Sequence, residues 1–515
     1  MHTNQNSIGQ ITDKRVRPKL AVIGTGAAGL GVLVALLAKR SDAEVVVYDV
    51  GKRVAEAPSP DNPSEEWVDS FYDKIYKEIR SLYPFKFPPP KTHLAKQISK
   101  QPVGERLEIF KSESFGGLTN YWGATMLPFT AREMTKWPIS KEELEPYYQR
   151  IAEIVGLAAR PDALNEYFVR DFATRPPIRP FPALSSLNEI INARENKSEE
   201  FKIISGLNRC AIETRENKLN HCLYCGECLA GCFRDAVYSS RLTINQYLKN
   251  PRVRYIKAKV TLIKKGTSLE IQTDKGYREG GFSKVFLGAG CPASTEIIMR
   301  SLGLKNKLVM NDNATYVFPI FYLGKKSAQA RHQSYLALCN LIFGCVPKAT
   351  TDHFAQVSIY PNFDYLWRYN IPPKLWPIIR PLILFSRSRI FWARLFIHSD
   401  YSQAYSLELD NERLIFNQIK KAEPDPIKKL MPIIRRAVNH GGFYVPSIPP
   451  ICQKVNSHYA GTLAFGNKAV EVSAEGEIMS NVYLCDSSCF PDSPAVSPTF
   501  TIMANACRIA DKVVF

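Results

Sequence analysis

The sequence predicts an α/β fold joined to an antiparallel β region. Residues 19–51 read as strand, glycine-rich turn, helix and strand, and residues 284–290 form another apolar strand that enters a glycine turn. These two observations predict a parallel sheet with a nucleotide-binding βαβ unit. Residues 305–445 are mixed in character and contain short alternating runs such as AYSLEL, which indicate strands with one buried face.

The βαβ unit carries a specific glycine pattern. Gly24, Gly26 and Gly29 follow the first strand and open the helix, and Asp49 ends the second strand 23 residues after Gly26. Glycines permit a tight turn and a close approach of the backbone to a pyrophosphate, which then faces the helix N-terminus. Asp49 is placed to accept hydrogen bonds from a ribose hydroxyl. A dinucleotide site is therefore predicted, although a glycine-rich turn without a ligand is the alternative.

Further elements follow from local signals. Ser140, with Glu143 three residues later, is a capping pattern that predicts a helix start. Residues 56–100 are rich in proline and charge and indicate a surface excursion or lid. Residues 116–123 form a glycine turn beside aromatic side chains.

Composition excludes several classes of protein. The 515 residues are 45% hydrophobic and 23% charged, which argues against global disorder and allows a large core. The polar N-terminus carries no export signal, and no run of 18 uncharged apolar residues predicts a transmembrane helix. We therefore expect a cytoplasmic protein. The net charge of +18 favours an anionic partner such as nucleic acid, a lipid surface or an acidic substrate.

Four separated segments resemble the glucose–methanol–choline (GMC) flavoprotein oxidoreductases. They are GTGAAG with Asp49, FGGLTNYWGATMLPF at 115–129, KVFLGAGCPASTEIIMRSLG at 284–303, and the terminal pair SHYAGTLAFG (457–466) and LCDSSCFPDSPAVSPTFTIMANACRIAD (484–511). The resemblance covers both ends and the middle of the chain, and it is weak between about 305 and 445.

This resemblance implies a Rossmann-like FAD-binding domain assembled from separated segments, with an antiparallel-sheet substrate domain. The FAD-binding parts would be 15–130 (including the lid segment 56–100), 206–304 and 446–515. The substrate domain would comprise 131–205 and 305–445.

The resemblance also assigns cofactor residues. Gly24, Gly26, Gly29 and Asp49 would hold the ADP part of FAD, and the other implied contacts are Gly116, Gly117 and Asn120 on the isoalloxazine, Asp486 near the ribityl chain, and Pro498 and Thr499 near the pyrimidine edge. Some members attach FAD covalently through a histidine. Tyr121 stands at that position here, so we expect non-covalent FAD.

His458 matches the active-site histidine of the family. A neutral imidazole suits the removal of a hydroxyl proton as hydride leaves the same carbon. The alternative is a structural histidine that caps the turn at Gly461 and Thr462. The family's usual partner, Asn or His, is replaced by Ser497, which is shorter and a weaker proton acceptor, so the catalytic pair is incomplete or completed by another group.

The cysteines are unevenly distributed. Four of the 12 form the run Cys222-x2-Cys225-x2-Cys228-x3-Cys232, the spacing of bacterial ferredoxins, with Phe233 in place of the usual proline. The run predicts an iron–sulfur cluster, 4Fe-4S or 3Fe-4S, with Cys232 or Cys210 as fourth ligand or none. Zinc and purely structural cysteines are the alternatives. Some membrane-linked sugar dehydrogenases of the family have a cluster in a similar insert.

Residues 365–398 combine basic and aromatic side chains without a single acid. This composition favours docking in a membrane interface, on the inner face of the membrane. A core helix pair with a solvated basic face and single-stranded nucleic-acid binding are the alternatives, and no nucleic-acid motif accompanies the segment.

Together these features predict an FAD-dependent dehydrogenase that oxidises a CH–OH group of a sugar, a lipid-linked sugar or another amphiphilic alcohol. Electrons would pass through the cluster to a quinone or protein acceptor, because an oxidase that reduces oxygen needs no cluster. A soluble oxidase or dehydrogenase of polysaccharide or natural-product metabolism with structural cysteines is one alternative. A non-catalytic flavoprotein that binds an anionic partner is another.

Overall fold

The computed structural model describes residues 17–39, 42–51, 63–82, 98–103, 107–168, 170, 172–194, 199–324, 334–349, 352–364, 367–368, 371–372, 374–410, 413–453, 457–467 and 470–514. The strands are β1 (Lys19–Ile23), β2 (Glu44–Asp49), β3 (Ile98–Val103), β4 (Leu107–Ser112), β5 (Phe201–Leu207), β6 (Val253–Lys257), β7 (Val260–Lys265), β8 (Leu269–Thr273), β9 (Arg278–Phe282), β10 (Lys284–Leu287), β11 (Leu308–Asn311), β12 (Thr315–Tyr322), β13 (Leu341–Pro347), β14 (Ala355–Pro361), β15 (Ile390–Phe396), β16 (Ala404–Asp410), β17 (Arg413–Lys420), β18 (Phe443–Tyr444), β19 (Ile451–Gln453), β20 (Glu477–Met479) and β21 (Val482–Leu484). The helices are α1 (Ala27–Ala38), α2 (Glu65–Leu82), α3 (Lys141–Val155), α4 (Asn165–Phe168), α5 (Pro182–Asn192), α6 (Ser240–Tyr247), α7 (Cys291–Leu302), α8 (Trp376–Ser386), α9 (Asp425–Val438) and α10 (Thr499–Val513).

A six-stranded sheet forms the nucleotide-binding half, in the order β20-β21-β10-β1-β2-β6. Its strands run parallel except β20, which pairs antiparallel with β21. The sheet is built from segments that lie far apart in the sequence, as the resemblance predicted. Helix α1 lies against α10, and a Cβ on Gly31 would stand 2.2 Å from the carbonyl oxygen of Met503, so glycine is what permits this close helix contact.

A second, antiparallel sheet of seven strands has the order β18-β12-β15-β14-β13-β5, with β19 also paired to β12. Its apolar side chains belong to the same hydrophobic core as those of the first sheet. Together the two sheets confirm the predicted fold class, an α/β domain with an antiparallel sheet beside it. Shorter sheets, β11-β16-β17, β7-β8-β9 and β3-β4, surround them.

The helix predicted after Ser140 is confirmed. The Ser140 side chain accepts a hydrogen bond from the backbone N–H of Glu143 at 3.3 Å, and helix α3 begins at Lys141. Serine at this position satisfies an amide that the first helical turn leaves without a partner. The helix then buries Leu144, Tyr148 and Ile151 against the core.

Two segments that the sequence assigned to the surface are partly packed against other parts of the protein in the structure. Of the lid segment 56–100, residues 56–62 and 83–97 lie outside the described residues, and helix α2 packs on the cysteine loop (residues 222–232). In the segment 365–398, residues 390–396 form the interior strand β15, which is paired on both sides with β12 and β14. This strand cannot lie in a membrane interface, so the docking surface predicted for 365–398 is narrowed to the region of α8. Among the described residues, no helix has both the length and the apolar character needed to cross a bilayer.

Candidate active site

A cleft of about 1640 Å³ lies between the two large sheets. Its walls include nine of the residues predicted to act at a flavin site: Gly24, Gly26, Asp49, Gly117, His458, Asp486, Ser497, Pro498 and Thr499. These residues come from four distant parts of the sequence. Gly29, Gly116 and Asn120 lie behind the cleft wall and shape it from there.

The turn before α1 forms a bare cradle. Gly24 has a φ of +101°, and a Cβ there would lie 2.3 Å from the Gly288 carbonyl oxygen. A Cβ on Gly29 would lie 2.0 Å from the Gly24 carbonyl oxygen, so this glycine lets the helix approach the turn. Gly26 differs, because the nearest atom to its Cβ would be the Cα of Gly117 at 3.8 Å. The open face of Gly26 at a helix N-terminus fits a pyrophosphate.

Asp49 stabilises this turn from the end of β2. Its Oδ2 accepts hydrogen bonds from the backbone N–H and the hydroxyl of Thr25, both at 2.8 Å. Its Oδ1 accepts the N–H of Gly51 at 2.7 Å. Burial raises the pKa of Asp49, and the bonds from Gly51 and Thr25 oppose that shift. A carboxylate has about four acceptor positions, so one remains for a ribose hydroxyl.

The loop at 115–121 is fastened to the same turn. Gly116 donates its N–H to the Thr25 hydroxyl at 2.8 Å. The Asn120 amide donates to the carbonyls of Phe115 and Gly117, and its Oδ1 accepts from Ser239 at 2.6 Å. Asn120 thus holds the loop in shape, and the cleft itself is lined by the neighbouring Gly117 and Tyr121.

Asp486 joins the C-terminal segment to the turn after β10. Its Oδ2 accepts from the Gly290 N–H at 2.9 Å and the Ser294 hydroxyl at 2.5 Å. Its Oδ1 accepts from the N–H and hydroxyl of Ser488. Pro498 is the N-cap of α10 and Thr499 its first residue, so the positive end of that helix dipole opens on the cleft.

His458 is held through its backbone while its ring keeps an unused nitrogen. Its N–H donates to Asp312 Oδ1 at 3.1 Å, and its carbonyl accepts the Ser493 hydroxyl at 2.8 Å. Nδ1 is buried and has no hydrogen-bond partner among the described residues. Burial, with a smaller effect of Arg394, lowers the pKa of His458 to about 4. The imidazole is therefore neutral at pH 7 and able to accept a proton.

A polar network supports the loop around His458. The rings of His353 and His398 stack at 3.6 Å, and His353 Nε2 lies 3.0 Å from Asp400 Oδ2. Among the described residues, this trio is the one group of three or more His, Cys, Asp or Glu ligand atoms within 4.8 Å of one another. The Lys136 ammonium lies 3.6 Å from a carboxylate oxygen of Asp400 and 3.2 Å from one of Asp492. Lys136 therefore supplies a positive charge that balances these carboxylates.

The cysteine loop is a separate, buried cluster of thiols. All 12 cysteines are free, so none forms a disulfide. Burial, with smaller contributions from the nearby Cys232 and Cys225 thiols, raises the pKa of Cys222 to about 12. Cys225 is affected in the same way by Cys228 and Cys232.

Backbone N–H groups point at several of these sulfur atoms. Tyr224 donates to Cys222 Sγ at 3.4 Å. Burial raises the pKa of Cys232, while hydrogen bonds from the N–H groups of Val237, Arg234 and Ala236 oppose that shift. The thiols do not converge within 4.8 Å as three ligands of a single ion. One zinc ion with Zn–S distances of ~2.3 Å would hold its sulfurs about 3.8 Å apart, so the spacing does not fit zinc.

The structure also brings forward a residue that the sequence did not assign to the site. Arg394 on β15 lines the cleft, and its guanidinium carbon lies 5.1 Å from the centre of the Phe396 ring, which also stacks on His458. The sequence placed Arg394 in a membrane-docking segment. Residues 390–396 are IFWARLF, in which Arg394 is the only polar residue, so no alternation of polar and apolar side chains indicated which face of the strand lines the cleft.

Comparison with known proteins agrees with this site. Residues 451–506, which include His458 and Ser497, match the family model described as GMC oxidoreductase. The finding supports the GMC oxidoreductase family. No curated protein sequence gives a significant match to the chain.

Solved structures of two oxidases share the fold. Pyridoxine 4-oxidase from Mesorbium loti is 14% identical, with a TM-score of 0.58 over 96% of this chain and 99% of that one. Two variants of formate oxidase from Aspergillus oryzae RIB40 give TM-scores of 0.57 and 0.56 at 12% and 11% identity, over 96% of this chain and 98% of theirs. With the C-terminal match, this fold supports an FAD-dependent oxidoreductase.

Proposed function

We propose that the protein is an FAD-dependent dehydrogenase that oxidises a CH–OH group of a sugar, a lipid-linked sugar or another amphiphilic alcohol. The observation that carries the proposal is the unpartnered Nδ1 of His458, in the same cleft as the bare glycine turn. Gly24, Gly26, Asp49, Asp486 and the N-terminus of α10 would hold FAD non-covalently. When bound, the flavin supplies a hydride acceptor.

In this proposal His458 accepts the hydroxyl proton as the substrate carbon loses its hydride. The backbone bonds to Asp312 and Ser493 fix the position of the imidazole, so little orientation has to be gained on binding. Ser497 lines the same cleft, and in this proposal it orients the substrate hydroxyl.

The variant His458→Ala tests the assignment. We expect the rate at which an alcohol substrate reduces the flavin to fall roughly 10²- to 10⁴-fold, the usual contribution of a general base. The FAD content should stay unchanged. Thr462→Ser, a conservative change in the neighbouring turn, is the control. An unchanged rate in His458→Ala with normal FAD content would show that His458 is structural.

We further propose that Cys222, Cys225, Cys228 and Cys232 bind an iron–sulfur cluster that passes single electrons to a quinone or protein acceptor. Support comes from the neighbouring buried thiols and the N–H groups directed at them, since such hydrogen bonds stabilise cluster thiolates. Cys232 is favoured over Cys210 as fourth ligand, because it belongs to the same loop as the other three cysteines and receives backbone hydrogen bonds from Arg234, Ala236 and Val237.

The position of the cysteine loop suits such a relay. The chain leaves the loop towards α6, where the Ser240 hydroxyl donates to the Thr25 carbonyl at 2.7 Å in the dinucleotide turn. Trp122, which lines the cleft, donates its indole N–H to the Tyr238 carbonyl at 2.7 Å. On the other side, α2 covers the loop through Tyr72, whose hydroxyl donates to the Gly231 carbonyl at 2.7 Å.

Anaerobic purification with a visible spectrum and iron analysis tests the cluster. We expect absorption beneath the flavin bands, and iron that is lost in Cys225→Ser but retained in Cys345→Ser, a buried cysteine of β13. Protein with full flavin, no iron and no change between the two variants would leave the cysteines purely structural.

We also propose that α8 docks on anionic lipid, on the inner face of the membrane. Its outward face carries Leu375, Ile378, Leu382 and Phe385, which are 44%, 70%, 68% and 50% exposed and recur every three or four residues. Lys374 lies beside them, and Arg380 is half-exposed but already lies 3.6 Å from Asp69 Oδ2. Arg387 is unavailable to lipid, because it pairs with Asp364 at 2.5 Å.

Flotation with liposomes containing anionic lipid tests the docking. The triple variant I378S/L382S/F385S should lose binding, because it removes the apolar face and keeps every charge. The control L219S/L323S/I451S replaces three side chains of similar exposure that are scattered over the surface. Equal flotation of both variants and the unmodified protein would contradict the proposed docking of α8 on lipid.

A further inference from the structure

Arg394 is a cation without an anion. It projects from β15 into the cleft, and its Nη2 donates to the Gln453 side chain at 2.9 Å. Its Nε is buried and has no hydrogen-bond partner among the described residues. No carboxylate in the described part of the chain lies within ion-pair distance of it. Arg387 pairs with Asp364 and Arg368 with Glu227, whereas Arg389 donates to the backbone carbonyls of Tyr322 and Gly324.

The strand beside Arg394 continues this polar surface. Ser358 on β14 is its cross-strand partner, and Gln356 pairs with Phe396 in the same register. Gln356, Ser358 and Tyr360 alternate along β14 and all line the cleft. Gln356 is 2% exposed and its Oε1 has no partner among the described residues, although its amide donates to Ser358 at 3.0 Å. The unused hydrogen-bonding atoms are therefore a donor on β15, Arg394 Nε, and an acceptor on β14, Gln356 Oε1.

Such an arrangement costs folding free energy unless a ligand completes it. A partly desolvated charge without a counterion and a buried polar atom without a partner each destabilise a protein. Both lie beside His458, since Arg394 and His458 contact the same Phe396 ring. A guanidinium is the side chain best suited to binding carboxylates and phosphates, because its donors match their paired oxygens.

We propose that the substrate is an alcohol bearing an oxyanion, a carboxylate or a phosphate monoester, which Arg394 binds while the hydroxyl faces His458. This inference rests on the proposed oxidation at His458 and specifies the substrate class for it. The Ser358 hydroxyl can donate to the same oxyanion, whereas Gln356 Oε1 can only accept a hydrogen bond and therefore suits a hydroxyl of the substrate. Neutral alcohols of the same size leave Arg394 without an anion and bind more weakly.

The oxyanion also acts on the base. Burial and, to a smaller degree, the charge of Arg394 disfavour the protonated form of His458. An anion on Arg394 offsets that charge and makes the imidazole a better proton acceptor when a correct substrate is present. Binding of the anion and removal of the proton are thereby coupled in one site.

The test uses the full chain loaded with FAD and two unreactive probes, oxalate and inorganic phosphate. Each is titrated while the visible absorption of the bound flavin and the melting temperature are recorded. The variants are R394Q, R394K and the control R413Q, which removes an exposed cation from the rim of the same cleft. Glycolate and ethanediol, tested as reductants of the flavin, compare a charged with a neutral alcohol.

We expect at least one probe to perturb the flavin spectrum and raise the melting temperature. Its affinity should fall roughly 10- to 150-fold in R394Q, which corresponds to the ~1.5–3 kcal/mol of a hydrogen bond to a charged group. R394K should be intermediate and R413Q unchanged. A stronger response to oxalate identifies a carboxylate subsite, and a stronger response to phosphate identifies a phosphate subsite. Glycolate should reduce the flavin faster than ethanediol, with the preference lost in R394Q.

The inference is overturned if FAD is bound and neither probe has an effect, or if R394Q and R413Q respond alike. That result leaves the oxidation at His458 standing. If the protein binds no FAD, the proposed function fails instead, and the melting temperatures with oxalate and phosphate still decide whether Arg394 binds anions. If R394Q folds poorly, the affinity of R394K for oxalate and phosphate is compared with that of the unmodified protein instead, and equal affinities overturn the inference.

Discussion

The substitutions Gly26→Ala and Gly29→Ala should separate cofactor binding from folding. A methyl group on Gly29 would stand 2.0 Å from the Gly24 carbonyl oxygen, a distance at which the helix and turn must move apart. Forcing a methyl into a packed site costs about 1–3 kcal/mol, and the better helix propensity of alanine returns about 1 kcal/mol at most. We expect Gly29→Ala to lower the free energy of unfolding.

Gly26→Ala meets no such obstacle, because the nearest protein atom would be 3.8 Å away and φ is −71°. Its methyl instead occupies the open cradle that the cleft presents to a pyrophosphate. If the methyl group makes the binding free energy of FAD less favourable by the same amount, about 1–3 kcal/mol, FAD affinity drops roughly 5- to 150-fold.

Denaturant titration and FAD fluorescence after gel filtration measure the two effects. Gly280→Ala is the matched control, since nothing lies within 4 Å of its Cβ and it is exposed on β9. The reasoning is refuted if Gly26→Ala retains FAD like the control, or if Gly29→Ala unfolds at the same denaturant concentration as the control.

Two further predictions concern stability. Burial opposes ionisation of Glu279, but hydrogen bonds from Lys19, Tyr48 and Arg254 prevail and lower its pKa to about 2. Its stabilising effect is therefore complete above its unfolded pKa of 4.5 and is lost as pH falls towards 2, so Glu279→Gln should flatten the acid limb of a stability–pH curve. Arg508→Met should destabilise the fold by about 3 kcal/mol in urea titration, because the fully buried Arg508 joins Glu143 to the Ala474 carbonyl. Lys512→Met, at an exposed partner of the same Glu143, should cost under about 1 kcal/mol, and equal losses would contradict this account.

Several parts of the site follow from the order of residues alone. The strand–turn–helix unit at 19–51 is local, because its glycines, apolar strands and terminal Asp49 act over a short stretch of chain. The helix after Ser140 is local for the same reason. The FAD-binding turn, His458 and the cysteine run could therefore be named in advance, and the structure places the turn and His458 on one cleft. Their roles stay predictions until the variants are measured.

Other features depended on contacts between distant segments. The basic and aromatic composition of 365–398 described a single surface segment, whereas the structure divides it into an exposed helix, α8, and an interior strand, β15. The composition of a segment does not show which side of a strand faces a cavity. For that reason Arg394 was assigned to a membrane, and α2 was assigned to a lid although its Tyr72 hydroxyl binds the cysteine loop.

The sequence by itself determined the α/β class and the glycine-rich strand–turn–helix unit, because the backbone geometry of glycine and the periods of helix and strand act within a short segment. The second, antiparallel sheet and His458 as candidate base followed from the resemblance to the GMC family. Only the tertiary structure decided which charges have partners. The pairing of Arg387 with Asp364, 23 residues earlier in the chain, and the lack of any such partner for Arg394 among the described residues both depend on how the chain folds back between β14 and β15. The burial of His458 likewise depends on the folded structure. It lowers the pKa of the imidazole and leaves Nδ1 without a hydrogen-bond partner among the described residues.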